Sequence, residues 1–378
     1  MKNTMPSVGC YYFPNYHFSD GRNAFVHGPG WSEWEVVRHA VPRFPGHHQP
    51  LVPSWGYTDE ADPVVMARKI AAASGHGIDY FIFDYYHYDD GPFLERGLDE
   101  GFLQAENTAK LRFALMWANH DWLDIHPCGR RARHVLYPGK VSCETFRKLR
   151  RMLIGRYFTH PLYFTIGGAP YFSIYHLQEF LNGFDGDLAL ARRELDDFRA
   201  EARAAGLPDL HLNCVVWGQP LLPCEGSMTG VPEIVKRLGF DSVTSYVWVH
   251  HMKLTPPVTD YGELEEAYFA HWERMLAEYD IPYYPNVTVG WDPSPRTLPS
   301  DVWTPELRYP YTPVVTGNTP ERFGAALRRC AEKARGLGVA TLNINSWNEW
   351  TEGSMLEPEE RYGTGYLEAV RSVFGGGL

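Results

Sequence analysis

Short apolar runs rich in β-branched and aromatic residues alternate along the chain with amphipathic segments. There are eight such runs, and most of them are almost continuously apolar, which is typical of parallel strands covered on both faces and not of an antiparallel meander. They lie at residues 7–13, 79–86, 111–119, 169–175, 211–218, 241–248, 283–291 and 340–347.

Helical patterns separate these runs. Asp62 before Pro63 and Thr319 before Pro320 are typical helix starts. Eight strands that alternate with helices predict an α/β fold, a (β/α)8 TIM barrel. A doubly wound open sheet is the alternative, but neither a GxGxxG motif nor a P-loop follows any strand. The predicted helices lie at 62–75, 92–106, 143–156, 187–205, 231–238, 262–279 and 319–336.

The domain organisation follows from length and from the absence of internal boundaries. A chain of 378 residues that is 44% hydrophobic can bury a large core. No linker, repeat or low-complexity segment divides it, so we predict that residues 1–378 form a single barrel catalytic domain. Residues 14–61 predict a long loop after the first strand, and their many aromatic residues favour an ordered structure.

Charge and hydropathy narrow the class of partner. The formal net charge of -11 and the lack of a Lys/Arg cluster argue against nucleic acid. The sequence has no apolar stretch of about 18 residues and no signal-peptide pattern, so we expect no membrane insertion and a cytoplasmic location. The oligomeric state cannot be predicted from these features.

Cysteine spacing and aromatic content add two further constraints. The six cysteines lack CxxC spacing, which supports neither a zinc site nor a disulfide framework, and we expect reduced thiols. With 12 Trp, 23 Tyr and 20 Phe, the chain is 15% aromatic. Such rings suit the faces of carbohydrates, and core packing explains them equally well.

Polar and aromatic residues gather where the predicted strands end and in the loop after the first strand. In a TIM barrel the functional residues follow the carboxyl ends of the strands. Asn, Asp and His bond to hydroxyl groups and Trp and Tyr stack on sugar rings, so we predict a cleft for a carbohydrate substrate. The predicted substrate-binding residues are Tyr12, Asn15, Tyr16, His17, Trp34, Asp84, Tyr85, Trp117, Asn119, His120, Asp121, Trp217, Tyr246, Trp291, Asp292, Arg296, Trp347, Asn348 and Trp350.

Two carboxylates, Glu349 and Glu352, follow the last predicted strand. Glycoside hydrolysis needs such a pair, one to protonate the leaving oxygen and one to attack, stabilise or activate. On a helical turn their Cβ atoms would lie roughly 5–6 Å apart, compatible with the carboxyl separation of about 5–5.5 Å in retaining enzymes. Trp347 and Trp350 could bury one acid and raise its pKa. A helix cap or an Arg pair is the alternative role, which the position after the last strand disfavours.

A metal site is a second possibility for the acidic and histidine side chains. The candidate ligands show no HExxH motif or comparable helical pair, and hydroxyl binding explains the same residue types. We therefore expect no metal and no other cofactor. The candidate ligands are His120, Asp121, His126, His250 and His251.

Longer motifs resemble the WbsX-like proteins of bacterial polysaccharide loci, which look like relatives of glycoside hydrolase family 99. The resemblance runs in order from about residue 9 to residue 370. It implies a (β/α)8 barrel with a retaining, endo-acting α-mannosidase-type site. The motifs are YYFPNYH, WSEW, GIDYFIFDYYHY, LRFALMWANHDW, PYFSIY and NSWNEWTEGSMLEPEERYGTGYLEA.

The resemblance also implies roles for the two carboxylates. The Asn-Glu-Trp-x-Glu-Gly motif of family 99 falls on residues 348–353. By similarity, Glu349 would take the proton of the sugar 2-hydroxyl, which attacks the anomeric carbon, and Glu352 would act as general acid and then as general base. One departure concerns α-mannose specificity: family 99 has a His-Ile-Glu-Pro-Tyr motif where this chain has MWANHDW, with Asn119 or a neighbour in place of a third carboxylate.

Three functional hypotheses follow. The first is a metal-independent, retaining glycoside hydrolase that acts on an oligosaccharide or polysaccharide. The alternative is a glycosyltransferase of cell-surface polysaccharide (O-antigen type) biosynthesis, which the lack of a nucleotide-phosphate cradle disfavours. A catalytically silent glycan-binding barrel is the third, and the intact acid pair argues against it.

Overall fold

The architecture is a nearly closed barrel of parallel strands, as a computed structural model shows for residues 5–18, 20–129, 134–305 and 308–375. The strands follow the apolar runs of the sequence, so the predicted α/β barrel is confirmed. They are β1 (Ser7–Tyr12), β2 (Tyr80–Tyr88), β3 (Arg112–Trp117), β4 (Ala169–Ile174), β5 (His211–Val215), β6 (Ser242–Thr244), β7 (Tyr283–Tyr284), β8 (Asn286–Thr288) and β9 (Thr341–Asn345).

The barrel closes through an interrupted strand. The prediction of one strand over 283–291 is wrong, because the chain is divided at Pro285: β7 pairs with β6, and β8 pairs with β9. Proline has no N–H to donate to a ladder. The Pro285 carbonyl still accepts the N–H of Asn343 at 2.9 Å. β7 therefore extends the sheet beside β6, and β8 extends it beside β9.

Ten α-helices surround the barrel in the described part of the chain. Six match predicted helices to within a few residues, and Asp62 and Thr319 cap α3 and α9 as expected. The helices are α1 (Gly21–His27), α2 (Trp34–Arg38), α3 (Pro63–Gly75), α4 (Cys143–Leu153), α5 (Leu177–Asn182), α6 (Leu188–Ala204), α7 (Val231–Leu238), α8 (Tyr261–Glu278), α9 (Pro320–Leu337) and α10 (Gly365–Phe374).

The predicted helix at 92–106 is wrong. The segment instead forms the strand Gly91–Phe93 and a π-helical turn, Gly97–Phe102. A Cβ on Gly101 would lie 2.1 Å from the carbonyl oxygen of Glu60, so the backbones approach more closely than a regular helix with side chains allows. The long loop at 14–61 holds α1 and α2, and thus more regular structure than predicted.

Short elements complete the structure. Three of them, at 294–296, 348–349 and 350–352, carry residues of the candidate site. The strands are Trp122–Leu123, Val135–Tyr137, Thr165–Ile166, Val258–Asp260, Val314–Thr316, Asn348–Glu349 and Ser354–Met355; the 3₁₀ turns are Thr108–Lys110, Trp248–His251, Ser294–Arg296 and Trp350–Glu352; and a π-helical turn spans Ile154–Phe158.

Hydrogen-bonded polar side chains fill part of the barrel interior. The Tyr80 hydroxyl lies 2.6 Å from the Thr341 hydroxyl and donates to Asn343 Oδ1 at 3.2 Å. A Cβ at Gly9, between these strands, would lie 2.6 Å from the Tyr80 ring, so only glycine fits there. The interior thus forms a packed floor beneath the carboxyl ends of the strands.

The helices of the described residues lack the combination of length and apolar character that crossing a bilayer requires. The single-domain organisation stays a prediction.

Candidate active site

A tight hairpin after β9 carries the two predicted carboxylates. Asn348–Glu349 pairs antiparallel with Ser354–Met355, and a 3₁₀ turn, Trp350–Glu352, joins them. Gly353 closes the turn at φ 64°, where its missing Cβ would lie 2.7 Å from Asp292 Cβ. Both carboxyl groups line one cleft at the carboxyl ends of the strands. The structure thus places Glu349 and Glu352 together in this cleft.

Arg296 bridges the two carboxylates. Its Nη1 donates to Glu352 Oε1 at 2.9 Å, and its Nη2 lies 3.6 Å from Glu349 Oε2. Its Nε and Nη2 donate to Glu33 Oε1 at 3.1 and 2.9 Å. The Tyr309 hydroxyl donates to Glu352 Oε1 at 2.8 Å. One buried guanidinium thus orients three acids and partly neutralises their charge.

Burial and neighbouring charges shift the pKa values of these three acids differently. It raises the pKa of Glu349 well above its ordinary value, and the charge of Glu352 adds to this more than Arg296 offsets. Burial also raises the pKa of Glu352, but Arg296 and the Tyr309 hydroxyl counteract it. For Glu33, burial would raise the pKa, but the charge of Arg296 and the hydrogen bonds from Thr351 and Asn15 contribute to a net lowering. Of the three, Glu33 is the most firmly ionised.

A third acid of the cleft, Asp84, lies at the end of β2. The Tyr246 hydroxyl lies 3.0 Å from Asp84 Oδ2 and 3.1 Å from Glu349 Oε1. Asp84 is 3% exposed, and burial raises its pKa well above the usual range.

The opposite wall carries a separate acidic group, Glu225. Its Oε1 accepts the Tyr175 hydroxyl at 2.6 Å, and its Oε2 accepts the N–H of Leu221 at 2.6 Å and lies 3.3 Å from His250 Nε2. Burial would raise the pKa of Glu225, but His250 and these hydrogen bonds lower it to about 2. Glu225 is therefore ionised at neutral pH.

Eight of the predicted residues line the cleft. Met116, Ala118 and Trp122 give it apolar walls. The predicted residues that the structure brings together here are Asp84, His120, Asp121, Tyr246, Trp291, Arg296, Glu349 and Glu352.

Strand alternation removes two predicted residues from the cleft, because neighbouring side chains on a strand point to opposite faces. Asp84 faces the cleft, so Tyr85 faces outward and packs on Tyr157 at 5.7 Å between ring centroids. Trp117 likewise packs on Phe146 at 5.9 Å. These two assignments are corrected: both side chains belong to the layer between barrel and helices.

The side chains around the hairpin point away from the cleft. Trp347 Nε1 and Trp350 Nε1 donate to the two oxygens of Glu357 at 2.9 and 2.7 Å. Asn348 bonds to the backbone of Phe13. The Tyr12 hydroxyl donates to Glu60 Oε2 at 2.7 Å. These assignments are corrected as well, since Tyr12, Trp347, Asn348 and Trp350 are buried and hold the hairpin from behind.

The remaining predicted residues lie in other surroundings, and their assignment to the cleft is also corrected. Asn119 bonds to the backbone of His176, which accounts for the absence of a carboxylate at this position. Asn15 Nδ2 donates to Glu33 Oε2 at 2.6 Å. Asp292 lines a second cavity with His47, at 2.7 Å. Tyr16, His17 and Trp34 are buried in the loop after β1, and Trp217 stacks behind His250.

Three residues in or beside the cleft were not predicted from the sequence: Glu225 lines it, whereas Glu33 contacts Arg296 and Tyr309 contacts Glu352. Glu33 lies in the WSEW motif, where its burial between two tryptophans was the available signal. Glu225 and Tyr309 lie in irregular loops that no strand pattern places near the hairpin. Among the described residues, no group of three His, Cys, Asp or Glu side chains has the geometry to hold a metal ion.

Comparison with known sequences gives a family and two long relatives. The profile of the family described as Glycosyltransferase WbsX matches residues 8–370. Uncharacterized protein WxcX of Xanthomonas campestris pv. campestris strain B100 is 26% identical over 99% of this chain. The same protein of strain ATCC 33913 is also 26% identical over 99% of this chain. The chain spans about half the length of these curated relatives, 50% in each case.

Comparison with solved structures shows the fold. The GH99 endo-alpha-mannosidase of Bacteroides thetaiotaomicron, in complex with bis-tris-propane, matches with a TM-score of 0.60 and 13% identity, covering 98% of each chain. A structure described as a glycoside hydrolase-like protein matches with a TM-score of 0.61 and 13% identity, covering 99% of this chain and 95% of the other. The chain therefore has a glycoside hydrolase-like fold.

Proposed function

The chain belongs to the family described as Glycosyltransferase WbsX, and because of its glycoside hydrolase-like fold and the geometry of its cleft we propose that it is a retaining glycoside hydrolase. Its substrate would be an oligosaccharide or polysaccharide. The catalytic pair would be Glu349 and Glu352. The observation that carries the proposal is the buried pair bridged by Arg296 at the carboxyl ends of the barrel strands.

The pair would act on the two oxygens that flank the anomeric carbon. By similarity to family 99, Glu349 takes the proton of the 2-hydroxyl as that oxygen attacks the anomeric carbon, and Glu352 protonates the leaving glycosidic oxygen. Water then opens the epoxide-like intermediate: Glu352 takes a proton from the water, and Glu349 returns one to the 2-oxygen. Configuration is retained over the two steps.

The surroundings support this division of labour for Glu352. Tyr309 and Arg296 both contact its Oε1, which leaves Oε2 for the glycosidic oxygen. Burial keeps its pKa raised, as a general acid near neutral pH requires. Glu349 must be ionised to act as a base although burial raises its pKa, so its proton needs an acceptor.

The charge of the cleft favours a neutral glycan. Asp84, Glu225, Glu349 and Glu352 line the cleft together with Arg296. A uronic acid or a sulfated sugar would meet net negative charge there. Apolar and aromatic side chains such as Met116, Trp122 and Trp291 line the cleft and would give a sugar apolar contacts. The cytoplasmic location stays a prediction.

Replacing either acid tests the proposal directly. We expect Glu349→Gln and Glu352→Gln each to lower kcat on a matched glycan by at least ~10²-fold, because each removes one proton transfer. A screen over a diverse glycan panel, with NMR of the first anomer formed, identifies the substrate and the stereochemistry. Unchanged melting curves would show that both variants fold. Near-normal rates in both variants would contradict the assignment.

A glycosyltransferase remains the second candidate, because the description of the family names that activity. A transferase needs a nucleotide-sugar donor, and a bound donor raises the melting temperature of the native state. We expect no shift with UDP-, GDP- or dTDP-sugars and a shift with a matched oligosaccharide. The reverse result would favour the transferase.

A further inference from the structure

Two buried carboxyl groups share one hydroxyl donor at the base of the cleft. The Tyr246 hydroxyl lies 3.0 Å from Asp84 Oδ2 and 3.1 Å from Glu349 Oε1. A phenol has one hydrogen, so it donates to only one of these oxygens at a time. The second carboxyl group can complete the contact only as a protonated acid that donates its own hydrogen to the phenol oxygen.

The other oxygens of the two acids reinforce this conclusion. Asp84 Oδ1 and Glu349 Oε2 are buried and have no hydrogen-bond partner among the described residues. Asp84 is 3% exposed and Glu349 is 4% exposed, so water satisfies neither carboxyl fully. If both acids were ionised, Tyr246 could donate to only one of them, and the two negative charges would repel each other.

From this geometry we propose that Asp84 stores a proton for Glu349 and exchanges it through the Tyr246 hydroxyl. The inference rests on the proposed function, in which Glu349 acts as a base. When the proton lies on Glu349, its carboxyl O–H donates to the Tyr246 oxygen, and Tyr246 donates to ionised Asp84. One concerted shift breaks both O–H bonds and forms two new ones, so Asp84 becomes the acid and Glu349 the carboxylate.

This exchange would free Glu349 without moving charge out of the cleft. The pair carries one negative charge before and after the shift. The raised pKa of both acids, caused first by burial, agrees with a retained proton. A sugar 2-hydroxyl that reaches Glu349 then finds a base, and the orphan Oδ1 of Asp84 is free to bond to a second hydroxyl.

Other charged groups face the pair and set its titration. Arg296 Nη2 lies 3.6 Å from Glu349 Oε2 and favours the ionised form of that acid. Glu352 opposes ionisation of both acids, and Glu33 opposes that of Glu349. These groups lie on the hairpin and on the loops that carry Arg296 and Glu33. None of them bridges Asp84 to Glu349 as Tyr246 does.

A titration without substrate tests the shared proton. Infrared difference spectra of the carboxylic C=O band, with isotope-labelled glutamate to separate Glu from Asp, follow the last carboxyl proton released as pH rises. In the wild type we assign this last proton to the pair of Asp84 and Glu349. We expect Asp84→Asn and Glu349→Gln each to lower its midpoint by at least ~1 pH unit, because the negative neighbour is lost. An unchanged midpoint in either variant overturns the proposal.

Asp121→Asn is the matched control. Asp121 lines the same cleft, and its Oδ1 accepts the N–H of Gly139 at 2.8 Å, a bond that the Asn oxygen can keep. The variant removes one cleft carboxylate of the same type, outside the Tyr246 bridge. We expect the wild-type midpoint in this variant. A shift as large as that of Asp84→Asn would show general cleft electrostatics and overturn the specific exchange.

Kinetics test the exchange itself. With Asp84→Asn, the acid limb of the kcat/KM profile should move to higher pH by at least ~1 unit. In the wild type, Glu349 is freed when the pair loses the first of its two protons. In the variant, Glu349 must lose the only proton that remains. Tyr246→Phe keeps both acids but breaks the exchange, and kcat should fall at least ~10-fold with KM little changed. An unmoved acid limb overturns the proposal. The titration needs no substrate, so absent glycan turnover would count against the proposed function alone.

Discussion

At the scale of single residues, Arg296 determines how the acids of the cleft coexist. It is 5% exposed and contacts Glu33, Glu349 and Glu352. Glu33 is fully buried and accepts further hydrogen bonds from Asn15 and Thr351. A buried ion pair is costly to break from one side, because the remaining charge keeps its desolvation penalty.

We therefore predict that Arg296→Met lowers the free energy of unfolding by about 3–5 kcal/mol. The double variant with Glu33→Gln should recover part of this loss, because the stranded buried charge is gone. Chemical denaturation of the two single variants and the double variant measures both effects. If the double variant is as unstable as the sum of the two single variants, Arg296 and Glu33 are not coupled.

Residue types alone predicted part of the site. Glu349, Glu352 and Arg296 were identified because acids and an Arg after predicted strands point to chemistry. Tyr85 and Trp117 were assigned to the cleft although each alternates with an inward neighbour, and strand boundaries uncertain by one residue reverse such assignments. Glu225 could not be predicted, since its place depends on how an irregular loop folds back over the barrel.

Among the secondary-structure elements, a buried charge cluster holds the hairpin that carries Glu349 and Glu352 from behind. Glu357 accepts both indole N–H groups of Trp347 and Trp350. Lys69 of α3, with its side chain 2% exposed, donates to Glu357 at 2.7 Å. The first helix after the long loop is thereby connected to the turn that carries Glu349. The tryptophans therefore position the turn and do not stack on a ligand.

Removing one member of this cluster should loosen the hairpin. We predict that Glu357→Gln lowers the free energy of unfolding by about 3–5 kcal/mol, because the ammonium of Lys69 loses its closest partner. Lys69→Met combined with Glu357→Gln should be more stable than Glu357→Gln alone. Urea denaturation of all three variants tests the coupling, and additive losses would contradict it.

At the scale of the whole molecule, buried ionisable groups make stability depend on pH in two opposite senses. Burial lowers the pKa of His271 from 6.5 to about 3, so its contribution is present above pH 6.5 and is lost as pH falls toward 3. Burial raises the pKa of Glu349, so its contribution is present below its ordinary value of 4.5 and is lost as pH rises through the folded-state pKa.

Two variants should therefore shift the pH dependence in opposite directions. Relative to the wild type, Glu349→Gln should gain stability as pH rises above about 4.5, and His271→Gln should gain as pH falls below about 6.5. Each slope is at most roughly 1.4 kcal/mol per pH unit, because one proton is involved. Denaturation curves across this range measure both slopes. Parallel curves for variant and wild type would refute the linkage.

The barrel, the order of its strands and the segment that carries the acid pair could be predicted from the amino-acid sequence. Apolar periodicity and helix caps are local signals, and a parallel sheet with helices between its strands has few alternative topologies. Three features became visible only in the folded chain: which side chains face the cleft, where the seventh predicted strand is interrupted, and how Tyr246 brings Asp84 beside Glu349. The Tyr246 contacts join residues more than 100 positions apart, and no local pattern encodes them.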